Sequence, residues 1–237
     1  MICVGTDLEM SGKAIELAEK HESIWASIGL HPNDITEDFD IAAYQNLSEN
    51  PGVVAIGEVG LDYYRTPESE KQRKQKEVFE QFIELSQKTN KPLILHFRDS
   101  PKGSSGKVHK DALEILSKNF NKGVSHSFTG NLEEAREYVN RGMFIGLNGI
   151  ITFARQYDEV VRYVPLENIL LETDAPFLAP EPIRSRQPSY AKASGGRARN
   201  EPLWVKYVAE KIAELKNISV EEVAEQTTKN TEKLFNL

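Results

Sequence analysis

The sequence has little of what stabilises secreted domains or crosses membranes. Cys3 is the only cysteine among 237 residues, so no internal disulfide can form. No apolar run approaches the length that a bilayer requires, and the stretch Met1–Asp7 lacks the basic start and cleavage site of a signal peptide. These absences predict a cytoplasmic protein with no membrane partner, because a reducing compartment is the simplest setting for such a chain.

Positive charge is also scarce relative to negative charge, and the formal net charge is −7. A protein that binds nucleic acid through a broad electrostatic surface is usually basic. The charge balance therefore argues against a coating or architectural DNA-binding role. It leaves a nuclease open, because a metal centre supplies concentrated positive charge at a single phosphate.

Short apolar runs alternate with amphipathic stretches along the whole chain. They predict seven strands, at Ile2–Gly5, Ile24–Leu30, Val53–Ile56, Pro92–Leu95, Gly123–Ser125, Met143–Leu147 and Asn168–Leu171. Helical patterns lie between and after them, at Ser11–Lys20, Lys76–Lys88, Asp111–Lys118, Leu132–Asn140, Tyr157–Tyr163, Glu201–Leu215 and a last helix capped by Ser219. Such alternation is typical of an α/β protein whose parallel sheet is buried on both faces.

The placement of polar residues favours a TIM-type (β/α) barrel over an open doubly wound sheet. No Gly-rich phosphate loop follows any strand, and ligand-type residues follow nearly every strand rather than one switch point. Because a closed barrel has eight strands, the seven runs predict a barrel that lacks its first strand or is open at that place, in a single domain over residues 1–237. Two polar segments, Ser100–Lys110 and the basic Ile183–Asn200, are predicted to be exposed loops, with His109 solvated in the first.

Five polar residues lie where an apolar run ends, namely His31, Glu58, His96, His126 and Asp174. Imidazole and carboxylate groups are the usual ligands of divalent first-row metals, and the strand ends of a barrel converge on one mouth. Each residue alone has a simpler explanation, such as capping, packing or binding of loop amides. The five together predict a metal site.

The motifs around these residues resemble the successive strand-end motifs of TatD-family metal-dependent hydrolases, and the likeness covers almost the whole chain. They occur in the family's order: Gly29-Leu30-His31-Pro32, Ile56-Gly57-Glu58-Val59-Gly60-Leu61-Asp62-Tyr63, Leu95-His96-Phe97-Arg98-Asp99, Ser125-His126-Ser127-Phe128-Thr129-Gly130 and Leu171-Glu172-Thr173-Asp174-Ala175-Pro176. Any one motif is weak, but five in order are specific.

The resemblance implies a TIM-type barrel with two divalent metal ions. It implies that Glu58 bridges the metals, that His96 and His126 bind the second metal, and that Asp174 binds the first and orients or deprotonates the attacking water. His31 would face a substrate phosphate as a catalytic group. The resemblance also implies, on weaker matches, supporting or substrate-positioning roles for Asp62, Arg98 and Glu172.

The activity that the resemblance implies is hydrolysis of phosphodiester bonds by a metal-activated water, as in a DNase that removes nucleotides from 3′ ends. The substrate would be DNA, as a single strand or a 3′ end, and Mg²⁺, Mn²⁺ and Zn²⁺ are all compatible with the ligand types. No pattern in the sequence predicts an oligomeric state.

One family motif has no counterpart in this sequence. The family opens with an Asp-Thr-His-x-His-Leu strand whose histidines bind the first metal, whereas His-x-His occurs nowhere in the 237 residues. We therefore expect the first metal, left with Glu58 and Asp174, to bind weakly, and the second to persist on Glu58, His96 and His126. Two alternatives stay open: a truncated, catalytically impaired pseudoenzyme, and a related barrel hydrolase that cleaves a non-nucleic-acid ester or amide.

Overall fold

The computed structural model of the chain describes residues 1–100, 107–119, 122–185 and 198–237. The chain divides into two compact units, one formed by Met1–His126 with Leu234–Leu237 and one formed by Ser127–Lys233. Most of the predicted basic loop lies outside the described residues, as does the first part of the predicted polar loop. Within the described ranges, no helix combines the length and apolarity that crossing a bilayer requires.

The first unit contains five strands that pair in parallel with their sequence neighbours. They are β1 (Ile2–Val4), β2 (Trp25–Ile28), β3 (Val53–Asp62), β4 (Leu93–Arg98) and β5 (Gly123–His126). The apolar runs predicted each of them. Most apolar side chains of β2 to β5 are buried, whereas those of β1 are half-buried. Because all five run the same way, their carboxyl ends lie at one edge of the sheet.

Four helices follow the first four strands of this unit. They are α1 (Leu8–Lys20), α2 (Ile41–Ser48), α3 (Ser69–Thr89) and α4 (Lys107–Asn119). Helix α2 is absent from the sequence prediction because it is short and carries a weak apolar period. Its start is fixed by Asp40, whose side chain accepts the N–H of Ala42. Its buried Tyr44 packs edge-to-face on Phe82 of α3, with ring centroids 5.0 Å apart.

The prediction that His109 is solvated is wrong. Helix α4 begins at Lys107, four residues before the predicted start at Asp111, and turns His109 into the core beside Val108 and Ala112. The His109 side chain is 3% exposed, and its ring packs edge-to-face on Phe97 of β4 at 6.2 Å. The polar composition of the preceding segment had suggested a loop, whereas tertiary packing decides the burial.

The second unit contains β6 (Phe144–Leu147) and β7 (Ile169–Leu171), which pair in parallel. Its helices are α5 (Leu132–Asn140), α6 (Asp158–Tyr163), α7 (Val205–Lys216) and the start of α8 (Val220–Phe235), with short 3-10 turns at Gly149–Thr152, Arg155–Tyr157, Leu166–Asn168 and Pro202–Trp204. The predicted cap of the last helix is present, since the Ser219 hydroxyl accepts the N–H of Glu222 at 3.0 Å.

Candidate metal centre

Three predicted site residues lie inside strands rather than after them. Strand β3 continues through Glu58 to Asp62, β4 includes His96, and β5 ends on His126. The continuation of β3 depends on Gly60 (φ 144°), because a side chain there would collide with the carbonyl oxygen of His96 on β4. Glycines in this run suggested a strand end, whereas here they permit two strands to approach closely.

The Glu58 carboxylate is the centre of a group of imidazoles in the first unit. Its Oε1 lies 2.6 Å from Nδ1 of His96, 3.8 Å from Nε2 of His126 and 3.9 Å from Nε2 of His31. His31 follows β2, and its position is set by a hydrogen bond from its backbone N–H to the carbonyl of Thr6 at 2.8 Å. Four of the five predicted residues are thus brought together by three neighbouring strands and one loop.

Interactions between the carboxylates and the imidazoles of this group shift their pKa values. Burial alone would raise the pKa of the Glu58 carboxyl, but the charge of His126 and the hydrogen bond with His96 outweigh it and lower the pKa to about 2. Burial alone would lower the pKa of His96, but its hydrogen bonds to Asp62 and Glu58 raise it above the usual value. Burial and the nearby His96 lower the pKa of His31, which favours its neutral form.

Asp62 is a fifth member of the group. The sequence suggested only a supporting role, whereas the structure places its carboxylate in contact with His96. Its Oδ2 accepts a hydrogen bond from the Asn33 amide at 2.8 Å and lies 3.3 Å from Nε2 of His96. Its Oδ1 accepts the backbone N–H of Arg65 at 2.9 Å, and the residue is 1% exposed. Burial would raise the pKa of Asp62, but the hydrogen bonds from His96, the Arg65 backbone and Asn33 hold it well below its usual range.

Two donor sets are therefore possible within the group. Donor atoms of His31, Asp62 and His96 lie within 4.8 Å of one another, which is close enough to share one ion. The other set is Glu58, His96 and His126, with the Asp62 carboxylate holding Nε2 of His96 and leaving Nδ1 for the ion. Each set offers two imidazoles and one ionised carboxylate, which are ligands that a divalent first-row metal accepts.

Gln75 of α3 fixes the backbone around this group, and the sequence prediction missed it. Its Oε1 accepts the N–H of Asp62 at 3.0 Å, and its Nε2 donates to the carbonyl of Pro32 and the hydroxyl of Thr66, each at 3.1 Å. The residue is 2% exposed. It thereby joins the end of β3 to the loop that carries His31. The predicted helix began at Lys76, so Gln75 fell just outside it.

The second unit contains Asp174 and Glu172, and the role of each stays a prediction. Asp174 adopts a left-handed backbone (φ 56°), and its carbonyl accepts the N–H of Phe177 at 2.8 Å. The Glu172 carboxylate accepts the N–H of Ser127, the residue after His126 in sequence, at 2.6 Å. Asn148 donates to the Ser127 hydroxyl at 2.7 Å, so Glu172 and Asn148 together fix this turn.

The whole chain is similar to one known family of proteins. Residues 1–236 match the family described as TatD related DNase. The metal-dependent hydrolase YabD of Bacillus subtilis is 38% identical over 100% of this chain and 87% of its own length. The 3′-5′ ssDNA/RNA exonuclease TatD of Erwinia tasmaniensis is 33% identical over 100% of this chain and 88% of its own length.

A solved structure supports the same assignment. The crystal structure of YJJV, a TatD homologue from Escherichia coli, superposes with a TM-score of 0.83 at 28% identity, covering 100% of this chain and 86% of that one. The predicted α/β class and TIM-barrel type are thereby confirmed, with seven parallel strands in the described residues. The chain belongs to the TatD family of metal-dependent hydrolases.

Proposed function

We propose that this protein is a divalent-metal-dependent phosphodiesterase that cleaves DNA and removes nucleotides from the 3′ ends of single strands. The observation that supports it is the Glu58 carboxylate, 12% exposed, with Oε1 between 2.6 and 3.9 Å from nitrogens of His96, His126 and His31. A family relative that is named an exonuclease acting on single-stranded DNA and RNA points to the same substrate class.

We propose Glu58, His96 and His126 as the residues that hold the ion. A divalent metal bound there supplies positive charge to the phosphate and lowers the pKa of the attacking water. The Asp62 carboxylate fixes the orientation of the His96 ring through Nε2, so that Nδ1 stays directed at Glu58. From the family resemblance alone, Asp174 is proposed as a ligand of the first of the family's two metals and as the group that would orient or deprotonate the attacking water.

His31 is proposed to donate a hydrogen bond to a phosphate oxygen. Its Nδ1 accepts the backbone N–H of Asn33 at 3.2 Å, so the neutral ring carries its proton on Nε2. That nitrogen lies on the Glu58 side of the ring, 3.9 Å from Oε1. Because burial lowers the pKa of His31, the neutral donor form is favoured at neutral pH.

The test is release of labelled nucleotide from 3′-labelled single-stranded DNA in Mg²⁺, Mn²⁺ or Zn²⁺. We expect release by the unmodified chain and none by Glu58→Gln, because the substitution removes the central negative charge. Glu114→Gln, on the exposed face of α4, is the matched control and should cleave as the unmodified chain does. Absence of release with every metal would refute the proposal and favour the pseudoenzyme alternative.

A further inference from the structure

An exposed tyrosine and an arginine are in contact in the first unit, and the proposed metal chemistry uses neither of them. The Arg98 guanidinium carbon lies 4.0 Å from the centroid of the Tyr64 ring. Tyr64 nevertheless keeps 47% of its surface exposed. Among the described residues, none forms a hydrogen bond or ion pair with the guanidinium of Arg98, so its N–H groups are available to a ligand.

This pair lies beside the candidate metal centre. Side chains alternate between the two faces of a strand, so His96 and Arg98 of β4 share one face, roughly 7 Å apart along the strand. Phe97 between them points the other way, because its ring packs on Phe79 of α3 at 5.9 Å. Asp62, which pairs in register with Arg98, lies 3.3 Å from the His96 ring.

The chemistry of the pair matches one nucleotide. An exposed aromatic ring offers a stacking face to any nucleobase, and a guanidinium donates two parallel hydrogen bonds to a phosphate. Arginine can do this while its own plane stays stacked on the tyrosine, which a lysine ammonium cannot do. A ring and a guanidinium in contact thus offer both groups that a single-stranded nucleotide requires.

We propose that Tyr64 and Arg98 bind the nucleotide next to the scissile phosphate, with the base stacked on Tyr64 and its phosphate hydrogen-bonded to Arg98. The inference rests on the proposed function, because it names how a single-stranded nucleic acid is held at that site. It makes the site selective for substrates that carry a base, and tolerant of which base, since every base has a stacking face.

A second exposed tyrosine–arginine pair provides a matched control. Arg136 of α5 lies 4.9 Å from the ring centroid of Tyr163 at the end of α6, and Tyr163 is 39% exposed. Both residues lie in the second unit and come from helices rather than from strand ends. Tyr163→Ala therefore removes a similar surface contact without touching the proposed nucleotide site.

Binding is measured first in EDTA, where no cleavage competes, with a short single strand whose 3′ base is a fluorescent adenine analogue. Stacking should quench the fluorescence. Tyr64→Ala should weaken this binding by about 5- to 150-fold, the range typical for loss of one base–aromatic stack. Tyr64→Phe keeps the ring and should bind within about twofold of the unmodified chain, as should Tyr163→Ala.

A second strand, identical except for an abasic 3′ residue, separates stacking from a general loss of structure. Tyr64→Ala should bind it as the unmodified chain does. In cleavage assays with metal, Tyr64→Ala should raise KM for the base-containing strand with kcat little changed, because stacking stabilises ground and transition states alike. Equal binding by Tyr64→Ala and the unmodified chain, or equal losses on both strands, would overturn the inference.

The inference and the proposed function fail in different ways. If Glu58→Gln abolishes cleavage while Tyr64→Ala changes nothing, the nuclease proposal stands and the nucleotide site is wrong. If no metal supports cleavage while Tyr64-dependent quenching persists, the nucleotide site stands and the nuclease proposal is wrong.

Discussion

Nδ1 of His96 lies 2.6 Å from Oε1 of Glu58. The opposite nitrogen of the same ring lies 3.3 Å from Asp62, so the imidazole is held between two carboxylates that differ in their other partners. The Asp62 carboxylate accepts hydrogen bonds from the Asn33 amide and the backbone N–H of Arg65, whereas Oε1 of Glu58 lies near two further imidazoles. From this difference we propose that Glu58 binds the ion and that Asp62 orients a ligand.

The first prediction separates these two roles. Asp62→Asn should weaken divalent metal binding by about 10- to 100-fold, the usual effect of losing a group that orients a ligand. Glu58→Gln should weaken it by more than about 100-fold, because it removes a charged ligand. Titration calorimetry with Zn²⁺ or Mn²⁺ measures both, with the exposed Asp38→Asn as control. A larger loss for Asp62→Asn would favour the alternative set of His31, Asp62 and His96.

The second prediction concerns two buried glutamines one helical turn apart on α3. Gln75→Met should lower both the free energy of unfolding, by about 1–3 kcal/mol, and the affinity for metal, because the Asp62 N–H and Pro32 carbonyl lose their partner. Gln72→Met should lower stability alone, since Gln72 bonds to the Thr66 carbonyl.

Denaturant unfolding and metal titration of the two variants provide the check. Gln72 is the control, because it is 8% exposed on the same helix and its side chain bonds to the Thr66 carbonyl and to Lys107 rather than to a donor group of the candidate centre. Loss of metal affinity in both variants to the same degree would indicate a general loosening of α3. That outcome would contradict the proposal that Gln75 positions the residues of the candidate centre.

The third prediction is a pH dependence of stability at Asp111. Burial would raise the pKa of its carboxyl, but hydrogen bonds from Lys76 and Tyr63, each at 2.7 Å, lower it below the usual 3.8. A carboxyl with a lowered pKa stabilises the folded state above the unfolded pKa, and this stability disappears as the pH falls through the folded pKa.

Asp111→Asn should therefore lower the free energy of unfolding at pH 7 by about 1 kcal/mol. The difference from the unmodified chain should shrink as the pH falls below about 4. Glu114→Gln on the same helix should show neither effect. A difference that stays constant down to about pH 2 would contradict the electrostatic origin.

Much of the fold was predictable from the sequence, for a physical reason. Buried parallel strands need apolar residues on both faces, so runs such as Val53–Ile56 and Leu93–Leu95 stand out from the amphipathic helices between them. Ligand-type residues at the ends of these runs identified the candidate centre, because parallel strand ends converge. The grouping of His31, Glu58, His96 and His126 follows from that rule alone.

What the sequence did not predict depends on contacts between distant segments. The extension of β3 beyond Gly57 requires β4 as a neighbour, and the burial of His109 requires Phe97. The roles of Gln75 and Asp62 rest on hydrogen bonds to residues up to 43 positions away. The local sequence does not identify such partners, because it does not distinguish a buried helical glutamine from an exposed one.

The most direct test is a crystal structure of the protein soaked with Mn²⁺ or Zn²⁺, with the ion located by anomalous scattering. We predict a peak about 2.0–2.2 Å from Oε1 of Glu58, Nδ1 of His96 and Nε2 of His126, with Asp62 still facing Nε2 of His96. A peak held by His31 and Asp62 without Glu58, or no peak in the first unit at saturating metal, would contradict the account.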